Sequence, residues 1–234
     1  MNSKHSKDFP PLEILYEDNH LLAVNKPAGL ATMGTPAGQP TLLTLAKEYI
    51  KRRYHKPGNV YLGVMSRLDA PVTGVVLLAR TSKAAQRMTE QFRTHTVQKC
   101  YWAIVEGAVD PPAAVCIDWI AHDERHRRVH IVGPTMPGAK ESRLSYHRLG
   151  STGDTTILEV DLHTGRKHQI RVQLAERGHP IVGDRKYGSQ RQWPQGIALH
   201  ARRLLIAHPV KDEPLELLAN PPSGWPSIGG IGPR

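Results

Sequence analysis

Asp69 follows Arg67 by two residues in the stretch Gly63 to Arg80, which reads G-V-M-S-R-L-D-A-P-V-T-G-V-V-L-L-A-R. The two charges can make a local loop salt bridge. The carboxylate can also be a reacting group held by rigid flanks, and it then needs a partner, because a desolvated charge without one is costly. The densest polar cluster, His163-Thr164-Gly165-Arg166-Lys167-His168-Gln169-Ile170-Arg171, lies far along the chain. Thirteen histidines raise the question of a metal, with His163 and His168, or His200 and His208, as ligands. Their spacing argues against it, since no H-E-x-x-H places two imidazoles one helical turn apart. Ser66 is not in a G-x-S-x-G turn, and the phosphate-cradling G-x-x-x-x-G-K-[ST] loop is missing. No metal and no cofactor is expected. A carboxylate on a loop, a basic strand–helix junction and an aromatic strand suit chemistry on a nucleic-acid base or sugar.

The elements that must position these groups follow from hydrophobic periodicity. Leu12 to Tyr16 and Leu21 to Val24 read as a hairpin around Glu17-Asp18-Asn19. Leu42, Leu45, Ala46, Tyr49 and Ile50 fall at helical spacing behind Thr41 as N-cap. The Asp69 loop joins two strands, the second of them, Val75 to Ala79, apolar enough to be buried on both faces. Thr81-Ser82 caps a second amphipathic helix carrying Ala85, Met88 and Phe92. Val97 to Val105 reads as a strand with Tyr101 and Trp102 on opposite faces. Strands are expected at Arg143 to Arg148, Thr156 to Leu162 and Ala198 to Ala207, with a short helix from His168 to Arg177 stopped by Gly178. His122 to Lys140 reads as an exposed basic excursion, either a solvated charge run or an RNA contact. Strands interleaved with few helices favour one α+β domain on a mixed, largely antiparallel sheet. That domain is expected at 12–220, between flexible tails at 1–11 and 221–234.

Lys and Arg outnumber Asp and Glu by 31 to 21 in 234 residues, a formal charge of +10, so a polyanion such as nucleic acid is the expected partner. Cys100 and Cys116 lack C-x-x-C spacing, as expected of a reduced cytoplasmic protein. No apolar run approaches the ~20 residues of a membrane span, and Met1 to Pro11 has no apolar core for a signal peptide.

Several of these stretches, in order, resemble the motifs of the RluA-type RNA pseudouridine synthases. Asn25-Lys26-Pro27-Ala28-Gly29-Leu30 looks like the first motif, and Arg67-Leu68-Asp69 with Thr73-Gly74 like the catalytic loop. Lys99 to Gly107 is similar to the tyrosine-bearing strand. Gly165 to Val172, with Gly178-His179-Pro180-Ile181 and Gly183-Asp184, resembles the third motif, and Leu199-His200-Ala201 with His208-Pro209 the closing strand. Three residues depart from the pattern: Ser66 for His, Lys167 for Ser or Thr, and Gln173 for His. The resemblance implies a pseudouridine-synthase-like catalytic domain with a central cleft, acting on uridines of structured rRNA or tRNA as a monomer. It leaves no room before Leu12 for the small RNA-binding domain of many relatives. It implies Asp69 as nucleophile or base, Arg171 as its ionic partner and Tyr101 as the ring that stacks on uracil. Arg67 would fill the space of the flipped nucleotide. Leu68, Lys26, Arg166, His168, Gln169 and Ile170 would also meet the substrate.

Overall fold

The computed structural model describes residues 11–227 apart from Ala37, His126, Arg127 and Asp212. The expected N-terminal tail, the end of the C-terminal one and the centre of the basic segment therefore lie largely outside the described residues. The described chain builds an eleven-stranded mixed sheet with three α-helices. The hairpin β1 (Glu13–Glu17) and β2 (Leu21–Lys26) leads to helix α1 (Leu42–Arg53), short strand β3 (Gly63–Val64) and β4 (Thr73–Ala79). Helix α2 (Ser82–Arg93) precedes β5 (Gln98–Glu106), β6 (Ala113–Asp123), β7 (Arg128–Val132), β8 (Lys140–Thr152) and β9 (Thr155–Leu162). Helix α3 (Gln169–Glu176), a 3-10 turn at Arg185–Tyr187, β10 (Leu199–Ala207) and β11 (Pro214–Leu218) complete the order.

Across the sheet the strands run β1-β2-β4-β10-β5-β9-β8-β6-β7, with β3 and β11 paired to β4 and β10. The parallel contact joins β4 to β10, with Thr73 opposite His200 and Gly74 opposite Ala201. Gly74 stands at φ +114°, and a Cβ there would lie 2.3 Å from the Ala201 carbonyl oxygen, so only glycine lets these strands meet so closely. Every residue of β4 is buried. Val76 and Leu78 pack with Leu42, Ala46 and Ile50 of α1, while Val75 and Leu77 pack with Met88 of α2 and Leu204 of β10. Both helix starts are capped as the sequence predicts: the Thr41 hydroxyl accepts from the Thr44 N–H, and that of Thr81 from the Ala84 N–H.

Three expectations change. The basic segment is partly strand: β7 pairs with the end of β6, and Val129 is buried with Ile120, Val172 and Tyr187. Apolar Val129 and Ile131 alternate with charged neighbours there, too briefly to stand out in a run of arginines. Helix α3 starts one residue later than predicted, because His168 is left-handed at φ +54° and ends the preceding turn. Beyond residue 220, Trp225 is buried edge-on against Trp193 and His200, so the packed chain extends past the expected boundary. No helix of the described residues is long and apolar enough to cross a membrane.

Candidate active site

The β3–β4 loop carries Arg67, Leu68 and Asp69, and it is pinned from behind along its length. The Ser66 hydroxyl accepts the Leu77 N–H at 2.9 Å. The Thr32 hydroxyl donates to the Leu68 carbonyl at 2.8 Å and accepts the Leu68 N–H at 3.2 Å. The Ala70 carbonyl accepts the Gly29 N–H at 2.8 Å and that of Pro71 the Ile197 N–H at 3.2 Å. Lys26 completes the clamp. Its ammonium donates to the carbonyls of Pro27, Leu30 and Ala70 at 2.8, 2.7 and 3.1 Å. The side chain is fully buried, and burial pulls its pKa down to about 7 against the opposing charge of Asp69. This corrects the expectation for Lys26: an ammonium with three carbonyl acceptors has no hydrogen left for a substrate, and it holds the loop instead.

Asp69 looks into a cavity of about 460 Å³ lined by this loop, β5, the start of α3 and Leu199 of β10. Arg171 donates from a terminal nitrogen to Asp69 Oδ2 at 2.8 Å. Its Nε and other terminal nitrogen form a fork on Asp184, at 2.7 and 2.9 Å. Arg171 thus bridges two carboxylates, one half-open to the cavity and one sealed behind it, and this bidentate grip fixes the end of the guanidinium that Asp69 uses. Arg171 stays firmly charged: desolvation opposes its charge, but Asp184 and Asp69 outweigh it. Tyr187 backs the assembly, its ring 5.0 Å from the Arg171 guanidinium.

His168 reaches the same carboxylate from the other side, with Nε2 at 3.5 Å from Asp69 Oδ2. The Tyr187 hydroxyl accepts the Val129 N–H at 3.1 Å and lies 2.8 Å from His168 Nδ1, which ties the imidazole to the backing of the site. Burial holds His168 neutral, at a pKa of about 4, although Asp69 pulls it upward. Tyr101 lines the cavity on β5, where β10 bulges opposite it between Ala201 and Arg203. Its phenol is pushed well above its ordinary value, first by burial and then by the Asp69 charge, so it keeps its proton at neutral pH. Tyr101 therefore offers a ring face rather than a resting base.

The structure brings Arg67, Leu68, Asp69, Tyr101, Arg166, His168, Gln169, Ile170 and Arg171 to this one cavity. Their freedom differs. Arg67 is exposed, and among the described residues no carboxylate pairs with it. Gln169 is committed inward, its carbonyl accepting from Thr164 and Arg166 and its amide donating to the Arg143 carbonyl. Gln173, one of the three departures, is buried behind the cleft, where its amide donates to Asp118 at 2.6 Å. Another, Lys167, lies 3.0 Å from His122 Nε2 and ties the cleft rim to β6. Sequence reasoning gave no role to Asp184, Tyr187 or Lys99. The first two act through a turn that folds back on α3, and no local spacing announces such a contact. Lys99 was visible only as the second residue before Tyr101 on the same strand face.

The family model described as RNA pseudouridylate synthase matches residues 20–176. The chain is 36% identical to the ribosomal large subunit pseudouridine synthase D of Xylella fastidiosa, over 91% of this chain and 66% of the relative. It is 32% identical to the tRNA pseudouridine synthase C of Pasteurella multocida, over 92% of this chain and 93% of that one. It thus spans about two thirds of the former and nearly all of the latter. Among solved structures, human RNA pseudouridylate synthase domain containing 4 superposes with a TM-score of 0.75 at 28% identity, covering 90% of this chain and 89% of the other.

Proposed function

The chain belongs to the RNA pseudouridylate synthase family and is an RNA pseudouridine synthase, and we propose that Asp69 carries its reaction in the cavity closed by Arg171 and Tyr101. The target is a uridine of structured rRNA or tRNA, in keeping with the names of its relatives. The isomerisation breaks the bond from N1 to C1′ and makes one from C5 to C1′, while C5 gives up a proton and N1 gains one. No redox change, phosphoryl transfer or metal enters that balance. The catalytic domain is read as running from residue 12 past 220 to include the buried Trp225, working in the cytoplasm as a single copy.

The observation that carries the reading is the 2.8 Å contact between Arg171 and a carboxylate that remains open to the cavity. Arg171 fixes one oxygen of Asp69 and leaves the other edge of the carboxylate free toward the ribose, where it acts as nucleophile at C1′ or as base on a ribose proton. Tyr101 supports the uracil on its ring face while the glycosidic bond is broken. Arg67, on the exposed lip, enters the stack that the flipped nucleotide leaves. Leu68, Ile170 and Leu199 give the base an apolar floor. The test is pseudouridine mapping of total RNA from cells that lack the protein and carry either the wild type or Asp69→Asn. The wild type restores one or more sites. The amide keeps the shape but is neither base nor effective nucleophile, so Asp69→Asn restores none while RNA binding stays within about tenfold. Restoration by the variant would show that Asp69 is not the reacting group, and failure of the wild type to restore any site would favour a site that only binds RNA.

A further inference from the structure

Lys99 is the cation in the cleft that the reaction leaves unused. It stands two residues before Tyr101 on β5, so both side chains leave the same face of the strand, about 6.7 Å apart. The intervening Cys100 is buried on the opposite face, and its cross-strand partner Asp161 lies on that face too. The Lys99 ammonium lies beside Gly165, where a Cβ would be 3.8 Å from Nζ. Met65, Phe92, Leu162 and Leu199 supply apolar wall to the same cavity. Among the described residues no hydrogen bond or ion pair holds Lys99. Asp69, the acid lining this cavity, is already gripped by Arg171. Burial lowers the Lys99 pKa, and the like charge of Arg166, which lines the same cavity, lowers it further.

Lys99, half-buried, and Arg166, exposed with its Nε on the Glu141 carbonyl at 3.1 Å, line one cavity, and among the described residues no carboxylate pairs with either, so their like charges are uncompensated in the empty protein. An anion entering between them compensates both. Tyr101 orients it: the ring and the lysine stem leave one strand face two residues apart, which puts a phosphate on the same side of the cavity as the base it belongs to. Given the uridine-binding reading above, on which this inference rests, we propose that Lys99 and Arg166 form an anion subsite. It takes one of the two phosphates flanking the target uridine. The nucleotide is then gripped at base and backbone by residues of one strand face, and the glycosidic bond is held over Asp69. Gly165 leaves the space that a side chain would fill.

The probe is the trinucleotide ApUpA, in which one uridine is flanked by two phosphates, together with its two forms carrying a neutral methylphosphonate on one side or the other. Each is titrated against the full chain at low salt. Neutralising one of the two linkages is expected to weaken binding to the wild type by about tenfold, the scale of one charge-assisted contact. Lys99→Met, which keeps the apolar stem, binds ApUpA about tenfold more weakly and no longer distinguishes that linkage, while Lys99→Arg does. Arg166→Met shows the same loss of discrimination from a different element, which guards against misfolding of a single variant. For longer single-stranded RNA, Lys99→Met lowers the slope of log K against log salt by about 0.7. Equal sensitivity of wild type and Lys99→Met to both neutralised linkages overturns the proposal, and so does absence of ApUpA binding to the wild type. Coupling at one linkage without pseudouridine in the mapped RNA would keep the subsite and remove the isomerase reading. Wild-type pseudouridine formation by Lys99→Met without coupling would do the reverse.

Discussion

Replacing Arg171 by Met removes one guanidinium from two carboxylates that stand in different surroundings. Asp184 is sealed, its side chain 2% exposed, whereas that of Asp69 is 29% exposed. Stability is therefore set by the Asp184 side of the bridge and turnover by the Asp69 side. Breaking a buried, hydrogen-bonded pair by removing one partner costs about 3–5 kcal/mol, chiefly because a buried carboxylate is stranded. For a chain of this size each kcal/mol moves the melting temperature by about 2–4 °C, so Arg171→Met is expected to melt roughly 6–20 °C below the wild type. Adding Asp184→Leu removes the stranded charge and refills its volume with apolar atoms. The double variant should then recover at least half of the loss, since apolar replacement of a buried pair is often neutral. Turnover should not recover, because the guanidinium that fixes the Asp69 carboxylate is gone and His168, at 3.5 Å, does not replace its 2.8 Å contact. The assay is thermal unfolding of wild type, both single variants and the double, beside single-turnover formation of pseudouridine. A melting temperature of Arg171→Met within about 2 °C of wild type would refute the buried pair. Wild-type turnover in the double variant would refute the role given to the contact with Asp69.

Two further outcomes follow from individual groups. Arg67→Ala should leave the melting temperature within the range of an ordinary surface change, about 0.5 kcal/mol, and should slow turnover more on a structured stem-loop than on an unstructured oligomer with the same uridine, because extruding a paired base costs a few kcal/mol; equal rate losses on the two substrates would remove the flipping role. His200, fully buried between Thr73 and the Ala219 carbonyl, is held by burial at a pKa of about 4 against 6.5. The unfolded chain then binds the extra proton between these values, so stability falls as pH drops through that window, by about 1–2 kcal/mol at pH 5 relative to pH 7. Denaturant unfolding of His200→Gln should show a shallower loss over the same interval, with a residue left by His168, which is depressed in the same direction; an unchanged pH dependence would exclude His200 as its source.

How much of this was legible in the sequence depends on whether the cause was local. The Val75 to Ala79 part of β4 was readable because five consecutive apolar residues need no knowledge of what covers them, whereas Thr73 and Gly74, buried in the same strand, read as loop. The caps at Thr41 and Thr81 were readable because a hydroxyl reaches an N–H three residues ahead within one turn. Asp69, Tyr101 and Arg171 came from ordered motifs rather than from any spacing, since they lie on three elements that meet only in the folded sheet. Helix α3 shows the limit most plainly. Its residues from Gln169 to Leu174 are all buried, so it has no polar stripe and little helical period, and its start is set by His168 in a left-handed conformation. Lys26 shows the opposite failure, where the motif was visible and the direction of the side chain was not. A lysine in a polar loop of a basic protein reads as a surface cation, yet here the loop turns its own carbonyls inward and needs an ammonium to satisfy them. The same charge placed at Lys99 meets no carbonyl or carboxylate partner among the described residues, and that difference separates a cation that holds the fold from one proposed to take an anion.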